Sequence, residues 1–315
     1  MIKKECFTAE WIEQVSSELH YNDKNLIEKV IRALSLLEML VKAGCPLVFK
    51  GGTALMLILG KSAHRLSIDI DVICPPGTNI EDYLKSFADF GFINLELVAR
   101  KQRDDADIPK SHSKFFYQIA YRNDTDAQSY ILLDVLYEDI HYFRTQQIAI
   151  DCPFIRLEGK PLMVTVPSAE DILGDKLTAF APNTTGIPYY KNGRSCSMEI
   201  AKQLYDVGRL FENVSDLQIT KEAFRKIAVV ELSYRSFGTD IGQVFNDIRQ
   251  TALCISTRGK AGEGDFDLIQ DGIIRVKSFM YKQRYLIDHA IIDAARAAYL
   301  ATLIEKGINE IESYS

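Results

Sequence analysis

Lys50-Gly51-Gly52-Thr53-Ala54-Leu55, followed by Arg65-Leu66-Ser67-Ile68-Asp69-Ile70-Asp71, is the stretch on which the fold turns. Ahead of it, Leu47-Val48-Phe49 reads as a short apolar strand that runs straight into the glycines. Residues 54–59 then read as a buried helix, with Thr53 placed to cap it. Glycines between a strand and a helix let a backbone approach a phosphate, and the helix N-terminus supplies N–H donors and positive potential. Residues 67–74 alternate as a strand does: Ile68, Ile70 and Val72 share one face, and Ser67, Asp69 and Asp71 the other. Pro75-Pro76-Gly77 ends it.

Asp69 and Asp71, two apart on a strand, project from one face with Cβ atoms roughly 7 Å apart. Two carboxylates in a partly buried site need a counter-charge, and oxygen ligands suit Mg²⁺ or Mn²⁺. A pair of such ions would activate an attacking hydroxyl and carry a triphosphate leaving group. Alone, Asp-x-Asp is a common tripeptide and reads first as a half-exposed edge strand with its polar face to solvent; the surrounding residues shift that reading. Asp134 supplies a third carboxylate. It interrupts Ile131-Leu132-Leu133-Asp134-Val135-Leu136, which otherwise reads as a buried strand, where a lone Asp is costly unless paired or bound to metal. An arginine at the core edge is the alternative partner. Gly60-Lys61-Ser62 does not make a P-loop, because the pattern needs glycine at position 55, which is Leu55, and residues 54–59 read as helix.

The bulk numbers bound the rest. The chain has 315 residues, enough for two domains of about 150 residues. A net charge of −6 argues against a protein that coats nucleic acid indiscriminately, though not against a local basic groove. No apolar run reaches the ~18 residues of a membrane span, and Met1-Ile2-Lys3-Lys4-Glu5 opens no signal peptide. The six cysteines are scattered with no CxxC pair, which predicts reduced thiols and a cytoplasmic location. The five histidines are equally dispersed, so no histidine-built metal centre is expected.

Along the chain, residues 25–43 carry Leu26, Val30, Leu34, Leu37 and Val41 at helical spacing, with Gly44 as C-cap. A helix is predicted over 81–90 and a strand over 95–99. Residues 101–113 read as a polar loop, residues 115–121 and 130–137 as neighbouring strands, and Asn123-Asp124-Thr125-Asp126 as the turn between them. A last strand is expected at 162–166. From Ser168-Ala169-Glu170-Asp171, a start resembling a capping box, helical periodicity dominates, including helical packing around 279–285. The predicted domains are therefore 1–160 and 161–315.

The Lys50–Leu55 turn followed by the Arg65–Asp71 strand resembles the AbiEii/AbiGii-type nucleotidyltransferases, including the MenT-like toxins of bacterial toxin–antitoxin pairs. Their signature is K-G-G-T-x-L, then R-x-S-x-D-I-D. The Asp134 strand is similar to the family's second motif. Glu170-Asp171-Ile172-Leu173-Gly174-Asp175-Lys176-Leu177-Thr178-Ala179-Phe180 is similar to its third, with its lysine in K-L-x-A. Lys202-Gln203-Leu204-Tyr205-Asp206-Val207 resembles the fourth, an R/K-D-x-x-D-L-type helix, with Gln203 where an acidic residue is usual. Residues 182–197 are longer than that pattern expects. The resemblance covers residues 45–210.

It implies an α/β (α+β) fold, with a polymerase-β-like core on a mixed sheet and a helical C-terminal domain that completes the cleft. It also implies transfer of a nucleoside monophosphate from an NTP. Asp69, Asp71 and Asp134 would bind Mg²⁺ or Mn²⁺. Ser67 and the Gly51-Gly52-Thr53 turn would hold the nucleotide. Lys176 would neutralise phosphate charge, and Asp206 would orient Lys176 or the acceptor. Each has a plainer reading: Lys176 as a solvated helix lysine, Asp206 as a surface charge, Arg65 as a brace for the acidic strand, Ser67 as a strand-edge serine. Lys191-Asn192-Gly193-Arg194 and Lys202, behind Tyr189 and Tyr190, read as a solvated loop or as a contact for single-stranded RNA. The expected acceptor is RNA, at the tRNA 3′ end, with an antitoxin protein as a further partner. A protein or small-molecule acceptor, or a non-catalytic nucleotide-binding module, are the competing expectations.

Overall fold

Helix-forming and strand-forming segments sort cleanly along this chain. The computed structural model describes residues 1–98, 110–122, 127–214, 216–234 and 240–311. Thr8 caps α1 (Ala9–Glu18) by accepting from the Trp11 N–H, and Asp23 caps α2 (Lys24–Lys42) by accepting from Leu26. Helix α2 buries its apolar positions almost throughout, and Gly44, at φ +74°, turns the chain out of it. Then come β1 (Val48–Lys50), α3 (Gly51–Leu59), β2 (Ile70–Cys74), β3 (Asn94–Val98), β4 (Lys110–Gln118) and β5 (Gln128–Tyr137). These five strands form one mixed sheet in the order β1-β2-β5-β4-β3. Only the β2–β5 pair is parallel. A separate antiparallel ribbon joins β6 (Thr145–Ala149) to β7 (Met163–Pro167).

Helices follow: α4 (Ala169–Ala179), the hairpin β8 (Tyr190–Lys191) and β9 (Arg194–Ser195), then α5 (Ser197–Phe211) and α6 (Leu217–Ser233). The chain continues through α7 (Ile241–Ser256), α8 (Phe266–Val276) and α9 (Ile287–Lys306). Ser168 caps α4 by accepting from Asp171, as the capping pattern predicts. One apolar cluster is built from residues up to Val166 and from Tyr281. A second is built from Leu55 and from residues between Ile172 and Ile304. Mixed α/β core and C-terminal helices are as the sequence predicts. No helix among the described residues is long and apolar enough to cross a membrane.

Several local expectations give way. Helix α3 begins at Gly51, so Thr53 is its third residue and not its cap; the Thr53 hydroxyl donates instead to the Asp69 carbonyl at 2.7 Å. Strand β2 begins at Ile70, which leaves Ser67 and Asp69 on the approach to the strand. Ile73, on the predicted polar face, is buried in a strand that is flanked by strands on both sides. The predicted 81–90 helix is two short 3₁₀ turns, Ile80–Tyr83 and Phe87–Phe90, stopped by Gly91 at φ +83°. The polar stretch read as loop contains the first residues of β4, whose pairing with β5 overrides its composition. The predicted turn at 123–126 and residues 99–109 lie outside the described residues. Strand β6 has no counterpart in the sequence reading. Of residues 279–285 only Phe279 is helical, as the end of the 3₁₀ turn Lys277–Phe279; beyond it Met280 bridges Arg65, the Leu66 N–H donates to the Phe279 carbonyl, and the Tyr281 N–H donates to the His64 carbonyl. That extended strap ties the C-terminal region to the loop leading into β2.

Candidate active site

Sheet register builds the site. Lys50 of β1 lies opposite Asp71 of β2, and Asp71 lies beside Asp134 of β5 across the parallel pair. On β5 the odd residues Ile131, Leu133 and Val135 are buried, whereas Leu132, Asp134 and Leu136 are half-buried. The run that looks uniformly apolar thus alternates, and its acidic residue faces a cleft. The next strand continues the row, because His112 of β4 is the register partner of Asp134. Its Nδ1 is 2.6 Å from the Asp134 Oδ1. The partner of the strand aspartate is therefore a histidine and not the arginine the sequence offers.

The glycines are required by contact as well as conformation. Gly51 has φ +81°, and a Cβ there would lie 2.2 Å from the Asp71 Oδ2. A Cβ on Gly52 would lie 2.7 Å from the Ser67 Oγ and 2.9 Å from the Arg65 Nη2. The turn thereby packs bare backbone against both the carboxylate strand and the serine before it. Burial and the neighbouring Asp134 and Asp69 push the Asp71 carboxyl up to about 7, against the pull of Lys50 and Lys176. The Asp69 carboxyl is also raised, first by burial, with Lys202 opposing and Asp134 adding to it.

On the Ser67 side of the carboxylates, α4 and α5 supply a second cluster. Asp206 is 1% exposed and Lys176 7%, so neither is a solvated surface charge. The Lys176 Nζ is 3.1 Å from the Asp206 Oδ2. Arg65 donates to the same carboxylate, with Nη2 2.8 Å from each oxygen and Nε 3.0 Å from Oδ1. Arg65 therefore braces α5 and not the acidic strand. Lys202 leaves the basic hairpin with which the sequence grouped it; its Nζ lies 3.8 Å from the Phe279 ring centroid. Burial and Arg65 push its ammonium down to about 8, with Glu199, Asp69 and Asp206 pulling the other way.

Two acidic side chains of α4 do structural work. The Asp171 carboxylate accepts from the backbone N–H groups of Phe143 and Arg144, and Asp175 accepts from the Tyr142 hydroxyl. These contacts tie the helix that carries Lys176 to residues 142–144.

A cleft of about 450 Å³ opens over the sheet, lined by Lys50, Asp71, Lys110, His112, Asp134 and Lys191 among others. Lys191 arrives from the β8–β9 hairpin, whose tip residues Asn192 and Gly193 have φ +56° and +74°. Positive φ at both central residues is the geometry that lets a two-residue turn follow strand twist. Of these lining residues the sequence reading assigned no role to Lys50, Lys110 or His112. The signal was present: Lys110 and His112 alternate with Ser111 and Ser113 in the polar stretch, as a strand facing a cleft would.

Carboxylate oxygens are the donor set for Mg²⁺ or Mn²⁺, and the upward shift that burial and Asp134 give both Asp69 and Asp71 is what a cation beside them would relieve. As placed, no group of three or more His, Cys, Asp or Glu side chains among the described residues stands close enough to hold a metal ion. Asp134 gives one oxygen to His112.

A family model described as the nucleotidyl transferase AbiEii toxin of type IV toxin–antitoxin systems matches residues 34–286. This span is wider than the motifs alone covered. Among solved structures, JHP933 from Helicobacter pylori is similar at 15% identity and a TM-score of 0.44, over 98% of this chain and 95% of that one. The MenT4 nucleotidyltransferase toxin of Mycobacterium tuberculosis is similar at 15% identity and a TM-score of 0.48, over 93% and 89%. No curated protein matches.

Proposed function

Because the chain belongs to the AbiEii nucleotidyltransferase toxin family, we propose that it transfers a nucleoside monophosphate from an NTP to RNA, at the tRNA 3′ end. The observation that carries this reading is the row Lys50–Asp71–Asp134–His112 across four paired strands, with Asp69 just before it. Such a row aims acidic and basic groups into one cleft from rigid elements, which is what a phosphoryl-transfer site demands. The proposed division of labour takes residues 1–160 as the nucleotidyltransferase core and 161–315 as the helical domain that completes the cleft. The two separate apolar clusters support that division.

In this reading the acceptor oxygen bonds to the α-phosphorus while the α–β bridge bond breaks and pyrophosphate leaves. Asp69, Asp71 and Asp134 would hold Mg²⁺ or Mn²⁺, which when bound supplies positive charge to the phosphate oxygens. The Gly51-Gly52-Thr53 turn and Ser67 hold the nucleotide beside the N-terminus of α3. Lys176, fixed by Asp206, offers its ammonium to the phosphates. Toxicity would follow from loss of chargeable tRNA, relieved by a cognate antitoxin.

Incubation with each labelled NTP, Mg²⁺ and total RNA, alongside Asp69→Ala, tests the reading. Label is expected in tRNA with the wild type alone. Label in protein or in a small molecule moves the acceptor, and no label with any NTP overturns the enzyme assignment.

A further inference from the structure

Three lysines from distant parts of the chain meet in the carboxylate cleft: Lys50 from β1, Lys110 from β4 and Lys191 from the β8–β9 hairpin. Among the described residues, the lysines that pair with a carboxylate within 4.0 Å are Lys3, Lys24, Lys85, Lys114 and Lys176. None of the three cleft lysines is in that set, although Asp71 and Asp134 line the same space. In a chain that is acidic overall, three lysines without a close ion-pair partner among the described residues thus gather around one opening.

Burial in the cleft walls lowers the Lys110 ammonium; Glu231 and Glu138 oppose that shift, and the like charges of Lys50 and Lys191 add to it. Lys50 stays charged: burial would lower it, but Asp175, Asp71, Glu138 and Glu231 raise it. The volume, about 450 Å³, falls in the range of sites for small organic ligands. The lysines on the other side of the carboxylates are committed, Lys176 to Asp206 and Lys202 to the Phe279 ring.

We propose that Lys50, Lys110 and Lys191 form a cationic wall of the cleft that binds phosphoryl oxygens. The proposal rests on the nucleotidyltransferase reading for its ligand class, a phosphate chain. Two sources share that chemistry: the triphosphate of the NTP and the backbone of a single-stranded RNA acceptor. Lysine ammonium groups suit either, as point charges that accept many geometries. Exposed Tyr190 beside Lys191 gives a base a surface to stack on if the chain is RNA.

The test is binding, not turnover. Lys110→Gln/Lys191→Gln is titrated with inorganic tripolyphosphate and, separately, with a short single-stranded oligoribonucleotide, against the wild type and Lys85→Gln/Lys160→Gln. The control makes the same charge change elsewhere on the surface, and thermal melting checks that every variant is folded. The cleft variant is expected to bind at least one probe about tenfold more weakly, with the control unchanged. If the oligonucleotide arm responds, its salt slope falls by roughly 0.7 for each lysine lost. Loss on the tripolyphosphate arm alone assigns the wall to the NTP, and loss on the RNA arm alone assigns it to the acceptor. Equal binding by wild type and cleft variant, an equal loss in the control, or no binding of either probe by the wild type overturns the wall. A wild type that transfers no nucleotide yet loses probe binding with the lysines leaves the wall standing and removes the function reading instead.

Discussion

Arg65 and Asp206, 141 residues apart in sequence, form a buried pair in which the Nη2 of Arg65 is 2.8 Å from both carboxylate oxygens. Lys176 shares that carboxylate. One anion thus holds two cations from the loop before β2 and from α4, and joins both to α5.

The asymmetry of this trio gives an ordering of mutational costs. Asp206→Ala leaves two buried cations uncompensated and is expected to cost about 3–5 kcal/mol of unfolding free energy. Arg65→Met leaves Asp206 still paired with Lys176, so its cost is smaller. Urea denaturation of the two variants reads the difference; equal losses would show that the carboxylate does not organise the cluster.

Gly51→Ala places a Cβ against the Asp71 carboxylate in a backbone conformation that L-residues avoid. The left-handed conformation alone costs about 1–2 kcal/mol. Displacement of Asp71 should abolish nucleotide transfer in the protein that still folds. A Gly51→Ala variant with wild-type melting temperature and wild-type transfer would refute the contact.

His112 fixes Asp134 by a hydrogen bond, and groups that orient carboxylate ligands affect metal affinity by about 10–100-fold. His112→Ala should weaken Mn²⁺ binding, measured by calorimetry, and slow transfer within that range. His112→Asn, which can still donate an N–H from nearly the same place, should recover much of both. If Ala and Asn behave alike, the histidine does not act through Asp134.

Asp293 of α9 is 1% exposed, and burial, opposed by Arg209, Tyr285 and Arg296, pushes its carboxyl up to about 6. An unfolded aspartate titrates near ~3.9. Between those values the folded state binds the extra proton, so this group's contribution to stability falls as pH rises from 4 to 6 and is level above. The loss is on the order of 2–3 kcal/mol. Asp71, Asp247 and other raised carboxyls add to the total, so the readout is the difference between wild type and Asp293→Asn. That difference should narrow towards pH 4; a difference constant from pH 4 to 7 rules the assignment out.

The sequence by itself determined the glycine turn, the acidic pair, Asp134, the Lys176 and Asp206 positions, and the mixed α/β core followed by helices. Those features are local: a residue type at a fixed spacing on a strand or helix carries them, and α2, α4 and β5 needed nothing more. It did not determine that Thr53 ties α3 to Asp69, that β2 starts at Ile70, or that residues 110–113 form a strand. Pairing with a neighbour decides each of these, and pairing is invisible to periodicity when the strand is short or its composition polar. Nor could spacing say which charges meet. Arg65 with Asp206, His112 with Asp134, and Lys191 with Lys50 are separated by 141, 22 and 141 residues. Only the packing of α5, the β4–β5 register and the fold of the hairpin over the sheet bring them within reach. Electrostatic energy depends on those distances and on burial, which is why the charges could be named from the sequence but their partners had to come from the tertiary structure.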